Sequence, residues 1–239
     1  MTNSLKGQRF DKPPFITYVD ALKDLYYHGK VLVAKFDFLK FQQSDFSQLN
    51  VTAPPFLNKA TFRRRAEYLT GRYIMKVLLA DLGYTKFNLM REQGGSPGWP
   101  EGITGSLSHS GNMAAGALHS SEFLSGVGID IESRIDEKHA VEIKSAILSY
   151  EESNRLNFLS ESKKVTLIFS AKESFFKAIY PKTGVRFDFL DVEIVRLDVY
   201  SRRFTLRLKR NLNATFRIGY CLNGSYCFRE GKIITLVDY

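Results

Sequence analysis

Seven residues, Gly126-Val127-Gly128-Ile129-Asp130-Ile131-Glu132, constrain the fold of this chain more than any other stretch. Apolar and acidic residues alternate strictly after two leading glycines, a pattern that predicts a short β-strand. Successive strand side chains point to opposite faces, so Asp130 and Glu132 share one face and Ile129 and Ile131 the other. The apolar face belongs in a core. The acidic face brings two carboxylates together, which costs repulsion unless a cation or a proton joins them. Oxygen ligands of this kind suit Mg²⁺ or Mn²⁺. An Asp and a Glu on the wet side of an edge strand give the same pattern, so the strand alone does not fix its chemistry.

The whole chain sets bounds around that strand. Its 239 residues suffice for one large domain or two small ones. With 44% hydrophobic and 13% aromatic residues it can bury a substantial core, which excludes a disordered chain. A net charge of +9 favours an acidic partner: nucleic acid, anionic membrane, a polyphosphate cofactor or an acidic protein. Cys221 and Cys227 lack metal-ligand or Cys-x-x-Cys spacing, so free thiols in a reducing compartment are expected. The first thirty residues mix charge with prolines and hold no apolar signal core. No apolar run approaches a bilayer span, and a soluble, cytoplasmic chain is the expectation.

In chain order, residues 1–29 predict an extended arm with one short helix around Val19–Tyr27, and Val31–Phe38 a first strand. From Asn58 to Leu82 the apolar positions Ala66, Leu69, Tyr73, Val77 and Leu78 recur near a helical period, with Gly83 placed to end the helix. This helix opens on Arg63, Arg64 and Arg65, with Arg72 two turns on. Three consecutive arginines cannot share one helix face, so at least one is a solvated surface residue, while one or two can fork onto phosphate oxygens. The breaker-rich loop Gly94–Gly102 holds the single tryptophan, Trp99, either a stacking face for a ligand or a plug in a hydrophobic gap. Ser106-Leu107-Ser108-His109-Ser110 alternates into a strand end, with His109 and Leu107 on one face and the serines on the other. No partner at triad spacing accompanies His109, which argues against a Ser-His hydrolase. Met113–Leu118 fits a buried strand.

Beyond Glu132, helices are expected over Glu137–Leu148, Tyr150–Leu159 and Ile168–Ala178, the last stopped by Pro181. On that third helix Glu173 and Lys177 lie four apart, hence on one face. The remaining sequence predicts antiparallel strands near 191–198, 203–208, 214–221, 225–229 and 233–237, with a hairpin at Asn223-Gly224. The class is α+β. Taken together, a two-carboxylate strand, a helical carboxylate with a lysine, and upstream Arg and His groups suit transfer of a phosphate-linked group from a polyanionic donor. The donor itself is not named by this physics.

The pair Gly-Val-Gly-Ile-Asp-Ile-Glu at 126–132 and Phe-Ser-Ala-Lys-Glu-Ser-Phe-Phe-Lys-Ala at 169–178 resembles the signature of the 4′-phosphopantetheinyl transferases, in their enterobactin-synthetase component D form. Also similar are Arg64–Arg72, Trp99-Pro100, Gly105–Ser110 and the final Ile-Thr-Leu-Val at 234–237. The resemblance implies a fold of two similar lobes, here 1–124 and 125–239, with the cofactor in a cleft between them. It implies transfer of phosphopantetheine from coenzyme A to a serine of an apo acyl, aryl or peptidyl carrier protein, releasing 3′,5′-ADP, in siderophore or other non-ribosomal peptide synthesis. By the same resemblance, Asp130, Glu132 and Glu173 would hold Mg²⁺, and Glu173 would take the serine proton. Lys177 would neutralise the pyrophosphate, while Arg64, Arg72, Ser108 and His109 would contact coenzyme A. A monomer is expected, with no nucleic acid or membrane partner. The alternatives are a Mg²⁺-dependent phosphoanhydride hydrolase and a basic nucleic-acid-binding protein.

Overall fold

The computed structural model describes residues 12–86, 88–90, 97–122 and 124–239. The chain divides into two compact units, one running up to Leu22 and resuming over Gly29–Ser120, the other made of Lys23–His28 with Ser121–Tyr239.

In the first unit the described elements are β1 (Ile16–Ala21), β2 (Lys30–Phe36), α1 (Asp45–Gln48), α2 (Phe62–Ala80), β3 (Ile103–Ser110) and β4 (Met113–Ser120). Its sheet is antiparallel in the order β1-β2-β4-β3. Thr61 starts α2 by accepting the Arg64 N–H, three residues later than expected, because Pro55–Lys59 tighten into a 3₁₀ turn. Ala66, Leu69, Tyr73 and Leu78 then bury the helix against Leu32, Ala34, Ala114 and Leu118 of the sheet. The helix expected over Val19–Tyr27 is absent: Ile16–Ala21 pair with β2 instead, Val19 opposite Ala34. A strand partner outweighs weak local preference there. Trp99 packs against this unit's core, so it serves as a plug. Gly94, Gly95 and Ser96 of its loop lie outside the described residues.

The second unit contains β5 (Val127–Ser133), α3 (Glu137–Ile147), α4 (Tyr150–Arg155), α5 (Glu161–Thr183), β6 (Val192–Asp198), β7 (Arg203–Leu208), β8 (Cys221–Arg229) and β9 (Lys232–Asp238). The five strands are antiparallel in the order β5-β9-β8-β7-β6, which leaves β5 at an edge. Helix α5 passes through Pro181 and ends at Gly184, whose φ of +63° closes it. Proline in the last turn forfeits only one backbone bond, so it does not stop a helix held by a long buried face.

The C-terminal strands differ from expectation at one hairpin and at the strand expected over 214–221, which is a loop up to Tyr220. Asn223-Gly224 lies inside β8, and the turn falls at Glu230-Gly231, both at positive φ (50° and 73°) as a two-residue hairpin requires. Gly224 sits opposite Phe204, and a Cβ there would come within 2.3 Å of that ring. The glycine makes room for an aromatic ring. Residues 214–220 form a loop that Asn213 braces by accepting the Thr215 and Phe216 N–H groups at 2.9 and 2.8 Å. Cys221 is exposed and Cys227 buried, and both are free thiols. Among the described residues no helix is long and apolar enough to cross a membrane.

Candidate active site

The acidic face of β5 is turned under α5. Gly128 begins that face, and a Cβ on it would lie 1.8 Å from the Ser174 carbonyl oxygen. Glycine is therefore what lets helix and strand approach so closely. Two residues on, Asp130 is 2% exposed and its carboxylate accepts from Lys177 Nζ at 2.7 Å and Ser170 Oγ at 2.8 Å. Opposite it on β9, the Thr235 hydroxyl accepts from Ser174 Oγ at 2.6 Å and donates to the Ser170 carbonyl, with Ser170 Oγ 2.9 Å away. The carboxylate is thus a buried, fully engaged group, and the cation that its face demands is a lysine of the same chain.

Glu132 continues the face one pleat further and is half-buried. Glu173 lies one helical turn before Lys177. Burial pushes its carboxyl above the ordinary range; Lys177 opposes this and the charge of Asp130 adds to it. Two carboxylates, Asp130 and Glu173, and one ammonium are therefore brought to one side of α5, with Glu132 further along the same face of β5. Among the described residues no three His, Cys, Asp or Glu side chains converge as a formed metal set. The donor chemistry still fits a hard divalent ion, since all three groups offer oxygen and the Asp130 charge works against ionisation of Glu173.

A second cluster forms in the first unit, where β3 runs beside the start of α2. Arg64 Nη1 lies 2.5 Å from His109 Nε2 and 3.2 Å from Glu67 Oε2. A guanidinium only donates, so Nε2 accepts and the ring proton sits on Nδ1, which faces Glu67 Oε2 at 3.7 Å. Arg63 also reaches Glu67, at 3.3 Å, and its guanidinium donates to the Gly111 carbonyl. The three arginines have separate tasks. Arg65 donates to the Leu57 and Asn58 carbonyls at 3.0 and 2.8 Å, pinning the 3₁₀ turn, while Arg63 and Arg64 face the histidine side.

Two expected members lie apart from this cluster. Arg72 is buried, with its guanidinium 4.5 Å from the Tyr68 ring centre and its Nε donating to the Tyr68 hydroxyl at 3.1 Å. Ser108 is buried on the face of β3 opposite His109, as strand alternation requires.

The sequence alone did not reveal how deeply Lys172 is embedded. Its ammonium donates to Glu152 Oε2 at 2.8 Å and to the Ile147 and Phe189 carbonyls at 2.8 and 2.9 Å. Glu152 in turn accepts the Ile194 N–H at 2.7 Å and completes the capping box of α4 with Ser149. This ion pair fastens α5 to α4 and β6. Its only sequence signal was the Ser149-x-x-Glu152 box, which indicates a helix start.

A family model described as the 4′-phosphopantetheinyl transferase N-terminal domain matches residues 53–119, and one for the 4′-phosphopantetheinyl transferase superfamily matches residues 126–228. Enterobactin synthase component D of Escherichia coli O157:H7 is 32% identical over 163 residues, 66% of this chain and 76% of that protein. The chain belongs to the 4′-phosphopantetheinyl transferase superfamily. The first match spans α2 to β4, hence Arg64, Arg72, Ser108 and His109. The second runs from β5 into β8 and holds Asp130, Glu132, Glu173 and Lys177. Other members of the superfamily are similar over shorter stretches. The 4′-phosphopantetheinyl transferase Svp of Streptomyces mobaraensis is 31% identical over 153 residues, 63% of this chain and 61% of that protein. The transferase Npt of Nocardia iowensis is 32% identical over 127 residues, 53% of this chain and 56% of that protein.

Proposed function

We propose that this chain transfers the 4′-phosphopantetheine group of coenzyme A to a serine of an apo carrier protein, releasing 3′,5′-ADP. The observation that carries the reading is the wall made by Asp130 and Lys177, 2.7 Å apart, with Glu173 one turn away on the same helix. An ammonium beside carboxylates suits a pyrophosphate, whose negative charge grows on the departing oxygen. Glu173 accepts the proton of the serine hydroxyl as the serine oxygen bonds to the phosphorus that carries pantetheine. The bond from that phosphorus to the bridging oxygen breaks, and the electron pair leaves with 3′,5′-ADP. Burial suits Glu173 to this task, because a carboxylate raised above its ordinary range is a stronger base. Lys177 supplies positive charge to the leaving oxygens.

Asp130, Glu132 and Glu173 would hold Mg²⁺, which when bound neutralises pyrophosphate oxygens. Arg64 and His109 take the 3′-phosphate; Arg72 and Ser108, buried apart from that pair, are assigned to the coenzyme A contacts by the family resemblance alone. Residues 1–124 thus serve the nucleotide and 125–239 the metal and the chemistry, in cytoplasmic siderophore or related peptide synthesis. The relative named enterobactin synthase component D supports that setting.

The test mixes purified protein, coenzyme A, Mg²⁺ and an apo aryl- or peptidyl-carrier protein, and follows the carrier's intact mass. A phosphopantetheine adduct that vanishes when the carrier serine is replaced by alanine is expected. Cleavage of coenzyme A without a carrier would instead mark a hydrolase. No adduct across several carrier classes, together with tight oligonucleotide binding, would overturn the transferase reading.

A further inference from the structure

A pocket of about 280 Å³ opens beside Glu173. Its lining joins Glu173 and Phe176 of α5 to Arg186, Phe187 and Phe189 of the segment that follows the helix, and to Val192 at the start of β6. The walls are aromatic. Phe176 stacks on Tyr180 with ring centres 4.9 Å apart and lies 5.2 Å from Phe187, and Phe187 meets Phe175 edge-on at 6.0 Å. The polar lining is already engaged. Lys172 turns its ammonium inward to Glu152, and Asp188 closes a capping box with Asp191. Besides Glu173 there remains Arg186, which is exposed, has no ion pair among the described residues, and holds its guanidinium 5.9 Å from the Tyr180 ring centre.

We infer that this pocket seats the protein substrate: an apolar side chain flanking the acceptor serine enters between Phe176, Phe187 and Phe189, and Arg186 meets a carboxylate beside it. The inference rests on the transferase reading above. If Glu173 takes the serine proton, the serine oxygen must come within hydrogen-bond reach of that carboxylate, so the residues next to the serine lie where Glu173 faces solvent. The surface there is a hollow of side-chain size in which the rings of Phe176, Phe187 and Phe189 stand beside charged groups. A buried apolar anchor with an ion pair at its rim is how protein interfaces concentrate affinity in few residues. Coenzyme A, a polyanion, gains little from an aromatic hollow with one cation. The phosphates have the Arg64–His109 cluster and Lys177 instead. An acidic, apolar-tipped protein segment gains from both features of the pocket.

Kinetics separate the two substrates. Transfer is followed at varied carrier and varied coenzyme A for the wild type, Arg186→Glu and Phe187→Ala. Arg186 is exposed, so its variant tests the rim without disturbing the core, whereas Phe187 tests the hollow itself. Each change should raise KM for the carrier about tenfold or more, with KM for coenzyme A within about twofold of the wild type. A carrier whose carboxylates near the serine are changed to lysine should regain activity with Arg186→Glu, an outcome that a merely structural role for Arg186 would not produce. Unchanged carrier KM in both variants, with the wild type active, overturns the pocket and leaves the transferase reading standing. An equal rise in KM for both substrates also overturns it. A wild type that modifies no carrier overturns the transferase reading, and the pocket's assignment with it.

Discussion

At Glu173, function and stability pull in opposite directions. Its carboxyl is raised by burial, with Asp130 adding to the effect. Well below the ordinary carboxylate range the group is protonated in both folded and unfolded chains and costs nothing. As pH rises through the folded-state value, the folded chain alone must hold a buried charge, and stability falls. Glu173→Gln should therefore unfold at higher denaturant than the wild type, by a margin that grows as pH rises from below the ordinary carboxylate range to well above it, while losing carrier modification. No margin at any pH would show that the carboxylate carries no buried charge. At the other cluster Arg64 and His109 lie side by side, and a bound phosphate would replace the contact between them, since the ring can donate to it only once Nε2 no longer accepts from Arg64. Coenzyme A should outperform dephospho-coenzyme A as donor by about ten- to a hundredfold, the worth of a hydrogen bond to a charged group. His109→Ala should shrink that preference, and a variant that discriminates as well as the wild type would remove His109 from the phosphate.

Helix α5 is the element on which the second unit is assembled, since one face meets Asp130 and another meets Glu152. Two substitutions test these contacts separately. Gly128→Ala sets a methyl group against the Ser174 carbonyl and should cost about 3 kcal/mol, read from chemical unfolding, because backbone on both sides cannot give way. Lys172→Met leaves Glu152 buried without its cation and should cost about 3–5 kcal/mol in the same measurement. Neither role was legible from local pattern. The alternation at 126–132 revealed the strand and which residues share its face, because period two is a property of any strand. It did not reveal that the acidic face points inward, since that depends on a helix some forty residues later. Nor did it distinguish Lys177, turned to Asp130, from Lys172, turned to Glu152, five positions apart on one helix. Asn223-Gly224 misled for a related reason: the glycine is there for the ring of Phe204 on the neighbouring strand, a contact that local turn chemistry does not encode. The arginine run was legible only as a division of labour, and the turn at Pro55–Lys59 decides that Arg65 is the structural one.

For the molecule as a whole, a net charge of +9 is compatible with any polyanion, and the pairing of Lys177 with Asp130 gives a way to test which one binds. With that ammonium already on Asp130, the carboxylates have little need of a divalent ion until phosphates draw Lys177 toward themselves. Binding of metal and coenzyme A should therefore be coupled, each tightening the other. A ligand at a hundred times its dissociation constant stabilises the native state by about 2.7 kcal/mol. For a chain of this size that is a rise in Tm of roughly 5–10 °C. Millimolar Mg²⁺ alone should move the melting temperature little, coenzyme A alone should raise it, and the two together should raise it by more than the sum. Asp130→Asn should keep the shift due to coenzyme A but lose the extra increment from Mg²⁺, because the charge that the ion needs is gone while the phosphate contacts remain. A shift from Mg²⁺ alone equal to that of the pair would mean that the three carboxylates form an ion site without the donor. Stabilisation by a random oligonucleotide matching that of coenzyme A, and erased by modest salt, would return the charge to a general attraction for polyanions.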